Sequence, residues 1–148
     1  MSGIRELPDD DATRAWGVEL AKALRPGDVI LLRGPLGAGK TTLVRGLVEA
    51  LGGDPAEVCS PTFVLLETYG VDAAPIRRVH HADLYRLEGQ GDAPWHEIGL
   101  GEALDDPDAV TAIEWPERLR WSRPAGCRVL FVSLDHHGEG RRARFEWA

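Results

Sequence analysis

The sequence predicts an α/β fold, a three-layer sandwich with parallel central strands and antiparallel hairpin additions. Three observations lead there. Val29 to Leu32 is a short, wholly apolar run, the pattern of a strand buried on both faces. It passes through a glycine-rich turn into a helix with one apolar stripe, and a second strand-like run, Ala109 to Ile113, follows later. Strand, helix and strand in that order imply a sheet with a parallel core.

The elements follow from their residues. Between Pro8 and Arg25, Ala12, Trp16, Leu20, Ala23 and Leu24 recur at helical spacing. Asp9 to Asp11 suit the start of that helix and Pro26-Gly27 stops it. After the first strand, Leu43, Val44, Leu47, Val48 and Leu51 form a helical stripe that Gly52-Gly53 ends. Phe63 to Tyr69 and Arg77 to His81 read as strands joined by a turn containing Gly and Pro. Glu97 to Leu104 is a short helix, followed by an Asp/Pro turn and the buried strand Ala109 to Ile113, which runs into Glu114-Trp115-Pro116. Arg128 to Leu134 and Arg141 to Trp147 make a terminal hairpin around a His/Gly-rich tip.

Composition narrows the class. At 148 residues, with no internal repeat, low-complexity tract or long linker, residues 1–148 are expected to form a single domain with its own core. No apolar run approaches the roughly 20 residues of a membrane helix, so no membrane contact is expected. The N-terminus has neither a basic nor an apolar leader region, and Cys59 and Cys127 have no metal or disulfide-framework spacing, which points to the cytoplasm. The net charge of −7 has the wrong sign for gripping a nucleic-acid backbone unaided. Of 17 cationic residues only Lys22 and Lys40 are lysines, which makes the place of Lys40 informative.

Gly34 to Thr41 matches G-x-x-x-x-G-K-[ST], a phosphate-binding loop, in the required context of a strand before and a helix after. Chance alone gives this motif in roughly two in a thousand chains of this composition, and the context lowers that further. The glycines let successive N–H groups converge on phosphate oxygens, and the helix behind aims its N-terminal dipole at the same anion. Gly37, Ala38, Gly39, Lys40, Thr41 and Thr42 are therefore the predicted nucleotide-binding residues. Lys40 would bridge the β- and γ-phosphates and the Thr41 hydroxyl would ligate Mg²⁺. The fold expected is thus P-loop NTPase-like.

Hydrolysis also needs a carboxylate for the metal and a group to orient water. Glu114, directly after a buried strand, has the placement of the metal carboxylate; the alternative is that it only opens the turn at Pro116. Asp83, at the end of His81-Ala82-Asp83, is either the water-orienting group or a turn residue. Ser60-Pro61-Thr62-Phe63 follows the loop helix, where a switch threonine sensing the γ-phosphate would stand, though the same residues make ordinary turns. His80/His81 and His136/His137 are adjacent pairs whose side chains face opposite ways in a strand, so surface or packing roles are expected rather than zinc binding. Trp115 is placed to cover the site.

Four segments in order, GPLGAGKTTLVRGL, SPTFVLLETY, HADLYRL and AIEWPERL, resemble the TsaE (YjeE-type) family over nearly the whole chain. The resemblance implies an ATPase that acts with the TsaB–TsaD complex in threonylcarbamoyladenosine modification of tRNA, meeting tRNA through that complex, and that is not itself the carbamoyl transferase. Carried over by motif position, Gly37 to Thr42 hold the phosphates, Thr41 and Glu114 hold Mg²⁺, and Asp83 is the essential aspartate. Trp115 matches the tryptophan after the metal carboxylate, and Thr62 belongs to the switch-like segment. Asp10, Gly140 and Arg141 correspond to adenine-side contacts. The departures, Pro35 in the loop and the loose segment Trp95 to Ile98, miss this chemistry.

The expectation is therefore Mg²⁺-dependent ATP hydrolysis, catalysed by Asp83, Lys40 and Glu114. It should be feeble in the free, monomeric protein because no arginine stands in an obvious finger position; Arg86 is the nearest. The alternatives are a nucleotide-dependent scaffold without required turnover and a small-molecule kinase. The kinase would need an acceptor pocket and a basic lid segment that the sequence does not offer.

Overall fold

The computed structural model describes residues 2–59, 66–87, 99–118, 123 and 125–148. Along them run β1 (Ser2–Leu7), α1 (Asp10–Ala21), β2 (Val29–Arg33), α2 (Lys40–Ala50), β3 (Leu66–Ala73), β4 (Ile76–Asp83), α3 (Leu100–Leu104), β5 (Ala109–Glu114), β6 (Val129–His137) and β7 (Gly140–Trp147). The strands form one sheet in the order β1-β7-β6-β2-β5-β4-β3. β2 is parallel to both its neighbours, β5 and β6, and β4 adds parallel to β5. β3 on β4, β7 on β6 and β1 on β7 are antiparallel, so the parallel core with antiparallel additions forms as expected.

Side chains alternate along a strand, and in β2 each face meets a different apolar layer. Ile30 and Leu32 pack with Trp16 and Leu20 of α1 and with Leu43, Val44, Leu47 and Val48 of α2. Val29 and Leu31 pack on the other side with Leu84, Leu100, Leu104 and Ile113. Both faces being covered is the reason Val29 to Leu32 carries no polar residue.

The helices begin as their residues dictate. The Asp9 carboxylate caps α1 by accepting the Ala12 N–H at 2.7 Å, and Asp10 and Asp11 add negative charge in its first turn. α1 and α2 cross backbone to backbone at Gly17 and Gly46. A methyl on Gly17 would stand 2.4 Å from the Leu43 carbonyl oxygen, and one on Gly46 2.1 Å from that of Arg14.

Several boundaries differ from expectation. β1 is a strand that the sequence pattern does not announce. Only Leu7 of it is buried and Ile4 is 63% exposed, so it lacks the apolar alternation of a half-buried strand. Its backbone hydrogen bonds to β7, from Ser2↔Glu146 to Leu7↔Arg141, make it one. β6 extends through His136 and His137, leaving Gly138-Glu139 as the hairpin tip. β4 extends to Asp83, which makes that carboxylate the last residue of a strand. Phe63 to Leu65 and Glu97-Ile98, the outer parts of two expected elements, lie outside the described residues, and the helix begins at Leu100.

At the opposite end of β4 from Asp83, Arg78 donates from Nε and Nη2 to both Asp106 oxygens at 2.7 and 2.9 Å, and His80 Nε2 lies 2.8 Å from Oδ2. The Arg78 guanidinium, above all, holds the Asp106 carboxyl well below the usual carboxylate range, against the effect of burial. A carboxyl depressed in the folded state contributes stability above its unfolded value that is lost as pH falls through its folded value. Asp106→Asn should therefore lower the thermal midpoint near neutral pH and flatten its fall below about pH 4. Thermal melts across that range check this; parallel profiles for the two proteins would show that Asp106 does not govern acid stability.

Candidate functional site

Parallel strands put their C-terminal ends on one edge of a sheet, and here that edge collects the predicted residues. Leu32 of β2 pairs in register with Glu114 of β5, and Glu114 pairs with Asp83 of β4. The loop from Gly34 leaves the same end of β2 and enters α2. The cleft so formed, of about 400 Å³, is lined by Leu36 to Thr42, Asp83, Glu114, Trp115, Asp10 and Arg141.

Gly39, at φ 97°, is the N-cap of α2, and no side chain caps the N–H groups behind it. The left-handed backbone there suits glycine, and it turns the uncapped helix end toward the cleft. Such an end is an anion site, and an ammonium group lies beside it. Lys40 is 4% exposed, and its Nζ donates to the Gly34 and Pro35 carbonyls, the latter at 3.0 Å. The same Nζ stands 4.3 Å from the centre of the Trp115 ring. Burial pulls the Lys40 ammonium below the usual lysine range, opposed by the nearby carboxylates of Glu114, Asp83 and Glu117.

Glu114 is buried, and its Oε2 accepts the Thr41 hydroxyl at 2.9 Å and His81 Nε2–H at 2.6 Å. A hydroxyl and a carboxylate held together beside an anion-receiving helix end are hard oxygen donors, and they fit a small divalent cation that accompanies phosphate. Asp83, also buried, accepts the Tyr85 N–H at 3.0 Å and stands alongside Glu114 across the β4–β5 pair.

Trp115 has φ 59°, the sole non-glycine in the left-handed region among the described residues. β5 ends at Glu114, and this unfavourable turn swings the indole over the loop. The Trp115 backbone N–H donates to the Leu32 carbonyl at 3.1 Å, Tyr85 packs on the indole with ring centres 5.0 Å apart, and the Arg118 guanidinium lies 4.9 Å from the indole centre.

Arg141 ties the terminal hairpin to the cleft. Its Nη2 is 2.6 Å from Asp10 Oδ1 and 3.4 Å from the Gly37 carbonyl oxygen, and its Nη1 donates to Thr13 Oγ1 at 3.0 Å. Asp10 and Arg141 thus reach the cleft as a pair, while Gly140 packs behind it. A methyl on Gly140 would stand 2.7 Å from the Leu7 carbonyl oxygen. Arg86 is exposed and away from the cleft lining. Ser60 to Phe63, with Thr62, lie outside the described residues.

Sequence reasoning passed over three contributors. Thr13, fully buried, fixes Arg141; it ends the Pro8-to-Thr13 stretch from which only Asp10 was singled out. His81 and Tyr69 back Glu114, with Tyr69 Oη 3.1 Å from His81 Nδ1. His80 and His81 do face opposite ways, His80 to Thr68 and Asp106, His81 to Tyr69 and Glu114. A histidine two residues before Asp83 shares its face of the strand, which was the available signal.

Comparison with known proteins agrees in extent and kind. Residues 7–143 match the family described as threonylcarbamoyl adenosine biosynthesis protein TsaE. The tRNA threonylcarbamoyladenosine biosynthesis protein TsaE of Synechocystis is 44% identical over 113 residues, covering 76% of this chain and 69% of the relative. That of Nostoc is 39% identical over 136 residues, covering 92% and 80%, and that of Mycobacterium bovis 34% identical over 149, covering 98% and 87%. Among solved structures, Bacillus subtilus YdiB shares the fold with a TM-score of 0.69 at 24% identity, over 100% of this chain and 86% of that one.

Proposed function

The chain belongs to the TsaE family of threonylcarbamoyl adenosine biosynthesis proteins, and from that premise we propose that it is a Mg²⁺-dependent ATPase serving tRNA threonylcarbamoyladenosine modification together with the TsaB–TsaD complex. One observation carries the reading. An uncapped helix end, a buried lysine, a hydroxyl–carboxylate pair and a second buried carboxylate meet in one cleft, the set that phosphoryl transfer to water requires.

In this reading the loop N–H groups and Lys40 hold the phosphates, with Lys40 exchanging the Gly34 and Pro35 carbonyls for phosphate oxygens. Thr41 and Glu114 hold Mg²⁺, which when bound neutralises charge on the phosphates and eases transfer of the terminal phosphoryl group. Asp83 orients the attacking water as a hydrogen-bond acceptor. Asp10 and Arg141 flank the nucleoside side of the loop, and Trp115 shields the phosphate side from water. Among the described residues Arg141 is the arginine lining the cleft, and its guanidinium is engaged by Asp10 and Thr13. With no arginine but Arg141 lining the cleft among the described residues, basal turnover is slow, since a directed arginine contributes about 10³–10⁵ in rate. Docking of the partner complex raises it. The net charge of −7 supports a partner supplying most of the contact to tRNA, and the two free cysteines suit the cytoplasm.

The test is phosphate release from ATP by the protein alone and with TsaB, TsaD and tRNA. The reading expects a low rate that rises on assembly, and a loss of about 10²-fold or more in Asp83→Ala together with loss of tRNA modification. Modification that persists when Asp83→Ala has lost hydrolysis would instead make the protein a nucleotide-dependent scaffold.

A further inference from the structure

Glu114 meets a residue outside the cleft lining. His81 is fully buried, and its Nε2 lies 2.6 Å from Glu114 Oε2, the closer of the two contacts to that oxygen. A carboxylate can only accept there, so Nε2 carries a proton, and in the neutral ring Nδ1 then takes the Tyr69 hydroxyl hydrogen at 3.1 Å. Tyr69 is itself buried, and burial first of all pushes its hydroxyl up to about 12, which keeps it a donor at neutral pH. The chain of contacts runs from β3 through β4 to β5, across three adjacent strands of the sheet.

We propose that His81 is a positioning residue for Glu114: it fixes the carboxylate toward the cation site, and Tyr69 fixes the ring tautomer that makes this contact possible. The proposal rests on the reading of Glu114 as a cation ligand. Thr41 and His81 now donate to the same oxygen, and Thr41 must turn a lone pair to the cation when it binds. His81 then keeps the carboxylate in place from two residues back along β4, outside the cleft lining. Hydrogen bonds that orient a metal-binding carboxylate typically change metal affinity by about 10–100-fold when removed.

The experiment is calorimetric titration of ADP with Mg²⁺ present and with the metal chelated; the ratio of the two affinities measures the metal-linked gain. His81→Leu should lower that ratio about tenfold or more while leaving metal-free ADP affinity within about twofold. His81→Gln, whose amide N–H can stand where Nε2–H stands, should restore most of it. Tyr69→Phe, which frees the ring to move its proton to Nδ1, should lower it by about threefold. Glu114→Gln is measured alongside. If Glu114→Gln abolishes the gain and His81→Leu does not change it, the positioning role is overturned and the metal reading of Glu114 stands. If Glu114→Gln leaves the gain intact, the metal reading fails and the proposal with it. Equal losses in metal-free and metal-bound affinity for His81→Leu would mean a packing role only and would also overturn it. Should His81→Leu not fold, the other two variants decide: His81→Gln near wild type with Tyr69→Phe reduced supports the proposal, and an unchanged Tyr69→Phe overturns it.

Discussion

Lys40→Ala is expected to reduce phosphate release from ATP by about 10²–10³-fold and to weaken ATP binding in the same protein. The size follows from where the ammonium sits. It is 4% exposed, with its face to Trp115 and its hydrogens on the Gly34 and Pro35 carbonyls, so water screens it little. In the proposed reaction, charge building on the phosphates during transfer would meet this ammonium, so the loss should fall on the transition state as well as on binding. Lys40→Arg should not rescue it, since a planar guanidinium does not fit the space of a compact ammonium held by two carbonyls. Phosphate release under saturating ATP separates the two effects, and a residual rate within about tenfold of wild type would remove Lys40 from the chemistry.

Gly46→Ala should be strongly destabilising. The added carbon would stand 2.1 Å from the Arg14 carbonyl oxygen, well inside contact distance, and that oxygen belongs to a helix backbone that cannot rotate aside. Relief requires the two helices to separate, and their contact buries Trp16, Leu20, Leu43 and Leu47 against the sheet. Overpacking of side chains costs about 1–3 kcal/mol, and a backbone clash belongs at the upper end or beyond. For a domain of this size about 3 kcal/mol lowers the thermal midpoint by roughly 6–12 °C. Because α2 carries Lys40 and Thr41 at its start, ADP affinity should fall with it. A melting temperature within about 2 °C of wild type would show that the helices part at little cost.

These two cases also separate what is local in the sequence from what is not. The phosphate-binding loop is local: each requirement, from glycine at a left-handed position to lysine at the helix start, is met by neighbours in the chain, and the flanking strand and helix were legible from the same stretch. The buried parallel strands were legible too, because covering both faces of a sheet forbids polar residues and leaves an unbroken apolar run. Glu114 and Asp83 could be found as carboxylates at strand ends, but each had an ordinary turn reading beside the functional one. The register of β2, β5 and β4 brings them together, and register is a property of pairing between distant segments.

The sequence by itself therefore determined the α/β class, the glycine-rich loop between strand and helix, the order of most elements and the candidate carboxylates. Tertiary structure alone decided that Ser2 to Leu7 is a strand, since backbone pairing with β7 and not burial holds it there. It also decided that Arg141 is held by Asp10 and Thr13 across the loop, and that His81 Nε2 meets Glu114 Oε2. The physical reason is the same in each case. Hydrogen bonds and charge contacts act within about 3 Å between residues far apart in the chain, and residue type and spacing carry no record of which partner the fold will bring within that range.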